Sequence, residues 1–423
     1  MRRALSAPNL VLLLLCVVYA ILYIDRVNLA TAAVDIRREL GLSATELGLA
    51  FSAFAWPYAF FQIVGGWLGD RFGPRATLTV CVIVCATATM LTGLVGGIVS
   101  LFAVRLLLGF GEGATFPTAT QAMSNWTAPV RWGWAQGATH AASRLGNAAT
   151  PPMIAFLITA VSWRGSFVVL GGASLIWAVL WWRYFVDDPR RHPAVTPADV
   201  ADLRPFRAER QGRAVPWGPL VRRILPVTAV DFCYGWNLWL FLNWIPSYFQ
   251  TAMHLDLKQS ALFSSGVLFA GVIADPLGGL ASDAILRRTG NLEAARRNVI
   301  VFGMLGAVAF LTPLLLVDDL GRIAICLTGA FFCLEFVVAP IWSVPMDIAP
   351  EHAGTAAGLM NLGFGISGIL SPWVIGMLID RTGDWRWPFA LSMALLVGGS
   401  MLAFTMKPQN RFRADPAAAP SPA

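Results

Sequence analysis

Apolar residues in this 423-residue chain run in blocks longer than a strand or an ordinary core helix needs. A helix needs about 20 predominantly apolar residues to cross the hydrocarbon of a bilayer. Twelve blocks fit that length: residues 10–33, 47–69, 76–96, 98–122, 133–158, 165–185, 224–249, 260–282, 299–317, 323–344, 354–379 and 387–406. One long polar connection, residues 186–223, falls in the middle. It contains DDPRRHPAVTPADVADLRPFRAERQGR and reads as a solvated linker. The closing stretch, RADPAAAPSPA, reads as a disordered tail. The pattern predicts an all-α membrane protein of twelve transmembrane helices. They form two six-helix halves, residues 1–185 and 224–406, with a central loop at 186–223 and a tail at 407–423.

Composition agrees. Hydrophobic residues are 57% and charged residues 13%, against about 25% charged in a soluble protein. The net charge of +7 raises the question of nucleic acid. The arginines cluster in short loops between apolar blocks, where a membrane protein keeps them, so a lipid bilayer is the expected partner and nucleic acid is not. Of 31 basic residues, four lie within or at the edge of blocks: Arg26, Arg105, Arg144 and Arg183. With the N-terminus inside, 20 of the rest fall on the cytoplasmic side and seven outside. That asymmetry predicts both termini in the cytoplasm. MRRALSAPNL leads into a full-length block, so no cleavable signal is expected. All six cysteines fall inside apolar blocks and read as packing residues.

The two halves echo each other. GWLGDRFGPR, from Gly66 to Arg75, follows the second block; GLASDAILRRTG, from Gly279 to Gly290, follows the eighth. Both read Gly-x-x-x-Asp with basic residues and a glycine soon after, and transporters built from such repeats bind near the midplane between them. Twelve blocks, the central loop and Gly66-x-x-x-Asp70-Arg71-x-Gly73-x-Arg75 resemble the major facilitator superfamily. The family usually has two basic residues at the end of that loop, and Pro74 replaces the first. YIDRVNLATAA, RLLLGFGEGATFP and MDIAPEHAGTAAGLMNLGFGISGILSP narrow the resemblance to the anion:cation symporter branch, which takes up organic anions with a proton or sodium ion. The resemblance implies the major facilitator fold, a bacterial inner-membrane location, a monomer and no cofactor.

Charges inside the blocks carry the chemistry. A charge at the bilayer centre costs about 2.5–3.5 kcal/mol on insertion scales, so such residues are rare and usually functional. At about 1.5 Å per residue, Asp25 and Arg105 lie roughly 10–12 Å from the outer face. Glu112 follows Arg105 by two turns on one helix face, and Arg144 sits near mid-depth. Arginine suits a planar carboxylate through paired hydrogen bonds. A carboxylate in a dry cavity can take a proton near neutral pH. The resemblance implies proton coupling at Asp25 and Glu112 and anion handling at Arg26 and Arg105; Arg144 joins the anion set. Glu335, in FFCLEFVVAP, is a second-half candidate for the proton. An Asp–Arg pair between helices can also be structural glue.

The remaining candidates are aromatic, amide and loop residues. Tyr23 and Tyr58 resemble family cavity tyrosines, and Asn361 matches an eleventh-span asparagine. Trp239 and Asn243 stand in the aromatic-rich seventh block and suit a sugar-like or aromatic ligand. Asp70, Arg71, Arg75, Asp283 and Arg287 read as gating parts of the cytoplasmic loops. Gly109, Gly111 and Gly113 predict a close helix approach.

The expected function is import of a small organic anion, a hexuronate, aldonate or aldarate in the first place, by proton symport. Alternatives are an aromatic or other short carboxylic acid, sodium coupling, or exchange. A phosphate-ester exchanger would want an arginine deep in the seventh block, where only Arg222 and Arg223 stand at its cytoplasmic end. A drug–proton exporter would want a glycine–proline motif that GATHAASRLGNAATPPM lacks. A sensor would need a signalling domain, for which the central loop is too short. No nucleophile, metal cluster or phosphate loop suggests an enzyme.

Overall fold

The computed structural model describes residues 6–127, 132–197, 203, 216–349 and 353–412, without the side chains of residues 62, 63, 66, 67, 70, 132–134, 136, 353 and 354. The described residues contain no strand. The helices are α1 (Ala7–Thr31), α2 (Ala33–Leu40), α3 (Ala44–Thr92), α4 (Ile98–Gly113), α5 (Thr115–Trp126), α6 (Trp132–Tyr184), α7 (Trp217–Thr251), α8 (Leu257–Thr289), α9 (Val299–Leu311), α10 (Leu320–Phe336), α11 (Val338–Ile348), α12 (Ala353–Thr382) and α13 (Arg386–Ala403).

These helices resolve into the twelve expected crossings once their breaks are read. At 49 and 53 residues, α3 and α6 are each twice the length of a crossing. α3 turns at Gly73 (φ 78°, ψ 154°). Only glycine suits that left-handed backbone, and a Cβ there would press on the Asp187 carboxylate at 2.6 Å. α6 turns at Ser162 (φ 77°, ψ 165°), a strained position for a residue with a side chain. Conversely, α4 and α5 are one crossing interrupted at Ala114, and α10 and α11 are one interrupted at Val337. Nine described stretches are long and apolar enough to cross a membrane, and one of these, Gly137–Tyr184, is two crossings joined. The first arm of α3 and the whole of α7 complete the set.

The chain divides into two compact units. The first comprises Met1–Arg210, Trp239–Val272 and Gly368–Trp387. At its face opposite the N-terminus, α12 clasps the start of α3. Ala44 N–H and Thr45 N–H donate to the two Asp380 carboxylate oxygens at 3.0 and 2.6 Å, and the Thr45 hydroxyl adds a third bond at 2.5 Å. A carboxylate at a helix N-terminus satisfies orphan N–H groups and suits the dipole. Ser43 and Glu46 complete a capping box there. On the same face Glu39 of α2 accepts from Trp163 and pairs with Arg164 at the α6 turn.

The second unit comprises Gln211–Leu238, Ile273–Ser367 and Pro388–Ala423. A π-helical stretch, Glu293–Asn298, leads into α9, which packs on α10. The start of the sequence-predicted tail is pinned. Arg223 donates to the carbonyls of Met406, Lys407 and Asn410, and Phe412 N–H donates to Ile348 O at 2.7 Å. Residues 413–423 lie outside the described residues.

Candidate functional site

The intramembrane charges of α1, α4 and α6 belong to the first unit. Asp25 and Arg26 are neighbours in α1, but consecutive helical side chains point about 100° apart, so the two meet different partners. Arg26 turns to α4, where its Nε and Nη2 both lie 2.5 Å from one oxygen of Glu112, Oε1. Glu112 is 0% exposed and Arg26 3%. Asp25 turns to the second arm of α3. Its Oδ1 accepts from Thr89 Oγ1 at 3.1 Å and from Asn28 Nδ2 at 3.4 Å. Arg105 reaches the Asp25 backbone carbonyl through Nη1 at 3.5 Å. Among the described residues, Asp25 Oδ2, Glu112 Oε2 and Arg105 Nε are buried with no hydrogen-bond partner. Each is an open valence for a proton or an anion in a place that water does not screen.

Aromatic rings separate the arginines. The Tyr23 ring lies 4.7 Å from Arg26 Cζ and 5.8 Å from Arg144 Cζ. The Phe54 ring lies 5.4 Å from Arg26 Cζ and 5.2 Å from Arg105 Cζ. The order is Arg144, Tyr23, Arg26, Phe54, Arg105: three like charges alternating with two rings. Each ring face offers negative potential to the guanidinium beside it. Tyr58, stacked on Phe54 at 5.3 Å, and Phe116 complete the cage around Arg26.

The backbone allows this close assembly because α4 carries glycines where it crosses α3. A Cβ at Gly111 would meet Cys85 Sγ at 2.7 Å, and one at Gly113 would meet Phe61 Cβ at 2.9 Å; Gly109 faces the Phe54 carbonyl. From α7, Trp239 reaches Phe54 at 6.1 Å between ring centroids. Asn243, one turn on, is 2% exposed, and its Nδ2 has no hydrogen-bond partner among the described residues. Asn361 and Glu335 belong to the second unit. Asn361 is half-buried in α12, and Glu335 is fully buried in α10.

The gating candidates stand apart. The Asp70 side chain lies outside the described residues, and Arg71 is exposed above Phe72. Arg75 N–H donates to Asp187 Oδ1 at 2.8 Å, and its guanidinium grips Trp182 O at 3.0 and 2.7 Å. Asp283 pairs with Arg296 Nη1 at 3.3 Å, while Arg287 is exposed. Arg296 also holds Asp347 at 2.9 Å and Ser282 Oγ at 2.5 Å.

Sequence reasoning missed Phe54, Phe116, Thr89 and Arg296. Helical spacing held the signal for two of them: Phe54 is one turn before Tyr58, and Phe116 one turn after Glu112. Nothing in the sequence marks Thr89 or joins Arg296 to Asp347.

The sequence profile of the Major Facilitator Superfamily matches residues 15–372 and again 296–421. The chain is 46% identical over 411 residues to the probable sulfoacetate transporter SauU of Cupriavidus necator, covering 96% of each chain. It is 30% identical over 397 residues to the hexuronate transporter of Bacillus subtilis, covering 92% of each. The probable galactarate/D-glucarate transporter GudP of Escherichia coli is 29% identical over 407 residues, with 90% of this chain and 89% of that one covered. Among solved structures, a bacterial homolog of the human lysosomal transporter Spinster, inward-facing and occupied, superposes with a TM-score of 0.77. It is 17% identical and covers 96% of this chain and 98% of that one, a likeness of fold.

Proposed function

The chain belongs to the Major Facilitator Superfamily, and on that premise we propose that it imports a short organic dianion of the sulfoacetate kind in symport with protons. It is a multi-pass membrane transporter and not an enzyme. The observation that carries the reading is the charge balance of the buried cluster. Arg26, Arg105 and Arg144 stand against the carboxylates of Asp25 and Glu112. With both acids ionised the cluster holds one surplus positive charge. Protonating one acid leaves two, which match a dianion. Anion and proton therefore favour each other's binding, and that reciprocity is the coupling.

The arginines suit both ends of such an anion, since guanidinium forks recognise sulfonate and carboxylate oxygens alike. Ionised Glu112 accepts from Arg26 Nε and pairs with its guanidinium. Its protonation weakens that hold and turns Arg26 toward the anion. Asp25, with one oxygen held by Thr89 and Asn28, is the second proton carrier. Residues 1–185 and 224–406 act as the two halves that alternate access, joined by 186–223, with both termini in the cytoplasm of a bacterial cell; the excess of basic residues in the loops on that side supports this orientation.

A second reading keeps the sugar acid. It rests on the open Asn243 amide and on Tyr23 and Tyr58 beside Arg26, groups that suit hydroxyls. Uptake of radiolabelled sulfoacetate, glucuronate and galactarate into proteoliposomes, with a proton gradient, a sodium gradient or neither, separates the readings. Sulfoacetate accumulation driven by the proton gradient is expected. Accumulation of the sugar acids alone, or driven by sodium alone, refutes it.

A further inference from the structure

The fourth crossing of each half breaks at the same place relative to a buried glutamate. In the first unit α4 ends at Gly113 and α5 begins at Thr115; Glu112 lies two residues before the break at Ala114. In the second, α10 ends at Phe336 and α11 begins at Val338; Glu335 lies two residues before the break at Val337. The N–H of Ala114 turns to the carbonyl of Glu112, and that of Val337 to the carbonyls of Glu335 and Leu334. A glycine of the second crossing packs on each break. Gly65 faces Ala114, and Gly278 faces the Phe336 carbonyl, too close in both cases for a Cβ. Each glycine stands five residues before the loop aspartate of its own half, Asp70 or Asp283. Both glutamates are 0% exposed.

Chance does not easily repeat an interrupted helix, a buried acid and a packed glycine in register. Within a continuous apolar crossing, an interrupted helix frees backbone groups and a buried carboxylate costs several kcal/mol. We propose that Glu335 is the second half's proton site, adding one proton per anion to those carried by Asp25 and Glu112; this rests on the proton-symport reading above. The same unit also holds Asp231 of α7, 1% exposed and accepting from Phe364 N–H at 3.2 Å, and the elements around α10 bring the following groups. α9 carries no titratable residue. α8 brings Asp275, one turn before Gly278, and at its cytoplasmic end Asp283, Arg287 and Arg288. α11 brings Asp347, already held by Arg296. α10 itself carries Arg322 in its first turn, and Cys326 and Cys333.

The test is the number of protons moved per anion. Wild type and Glu335→Gln are reconstituted in liposomes at zero membrane potential, and the pH gradient that just balances a tenfold sulfoacetate gradient is measured. The ratio should fall by one proton per anion in Glu335→Gln and be restored in Glu335→Asp. Should Glu335→Gln be too slow for flux, proton uptake on adding sulfoacetate to the purified full-length protein decides instead, and it should fall by one as well. Equal ratios, or equal proton uptake, overturn the inference and leave the transport reading standing. A wild type that shows no proton-driven accumulation overturns the symport reading and the inference with it. A raised KM at an unchanged ratio makes Glu335 a substrate contact, which also overturns it.

Discussion

Arg26 donates through Nε to a single oxygen of Glu112, with Nη2 2.5 Å from the same oxygen but not bonded to it, and the other oxygen of that fully buried carboxylate has no hydrogen-bond partner among the described residues. A pair built only for stability would use both oxygens in a parallel fork. This one keeps a site where a proton can arrive while the arginine is still in place. On the proposed mechanism ionised Glu112 competes with the anion for Arg26, so anion affinity should rise as pH falls. Glu112→Gln removes the competitor. Equilibrium binding of sulfoacetate across about pH 5 to 8 should then be nearly flat in this variant, while exchange survives and gradient-driven accumulation is lost. A wild-type slope retained in Glu112→Gln would refute the competition.

Asp25 should behave differently. Its side chain meets hydroxyl and amide groups, and Arg105 touches only its carbonyl. Asp25→Asn should therefore keep most of the pH dependence of affinity and lose coupling. Thr89→Val, which removes one of the two donors to Asp25 Oδ1, should weaken coupling without abolishing binding. Proton-driven accumulation measured beside sulfoacetate counterflow separates the two effects. A flat affinity profile in Asp25→Asn would exchange the roles of the two acids.

How much of this was legible in sequence differs by level. The twelve crossings follow from block length alone, because a bilayer sets that length and leaves the backbone no alternative. The identity of the buried charges was equally plain, since each is an expensive exception in an apolar block. Pairing was not. Asp25 and Arg26 are neighbours in YIDR, yet helical geometry sends them to different helices. Phe54 and Phe116 looked like any apolar residue, because a ring's service to a guanidinium leaves no mark on hydropathy. The Ser162 turn and the Arg296 network depend on tertiary neighbours that no local pattern announces.

Phe54 should matter through electrostatics as much as packing. Its ring serves Arg26 and Arg105 together, and its neighbour Tyr58 is stacked on it. Phe54→Leu keeps apolar bulk and loses the π face. With about 0.5–2 kcal/mol at stake, sulfoacetate affinity should weaken roughly 2- to 30-fold. Phe54→Tyr keeps the face and should stay closer to wild type. Equal affinities for the leucine variant and wild type would reduce the ring to filler.

The Glu39 latch should be silent over the working pH range. Hydrogen bonds from Trp163 and Arg164 hold Glu39 below the usual glutamate range. A lowered carboxylate contributes above its ordinary value of about 4.3 and loses that contribution only as pH falls through the still lower folded value. From about pH 5 to 8 it stays ionised. Glu39→Gln should leave the shape of the transport profile unchanged in that window, whatever it does to the rate. A profile that shifts or flattens in initial-rate uptake assays would make Glu39 part of the coupling.

Arg296 and Arg287 offer the sharpest contrast among the basic residues around the loop that follows α8. Arg296 is 8% exposed and holds Asp347, Asp283 and Ser282 at once, tying α8 and α11 to the π-helical start of α9. Arg287, the sequence-level gating candidate beside Asp283, is exposed at the end of α8. Truncating Arg296 leaves the half-buried Asp347 without its guanidinium, whereas Asp283 is open enough for water to take over. Arg296→Ala should cost about 2–3 kcal/mol once that exposure is allowed for, and Arg287→Ala within about 0.5 kcal/mol. Thermal unfolding of the two variants in one detergent measures the difference. Rescue separates structure from gating: Arg296→Lys restores a charge without the fork, so stability should return in part while transport stays low if the fork times the opening of that face. If the lysine variant recovers stability and transport in equal proportion, Arg296 is a fastener only, and the gate lies elsewhere.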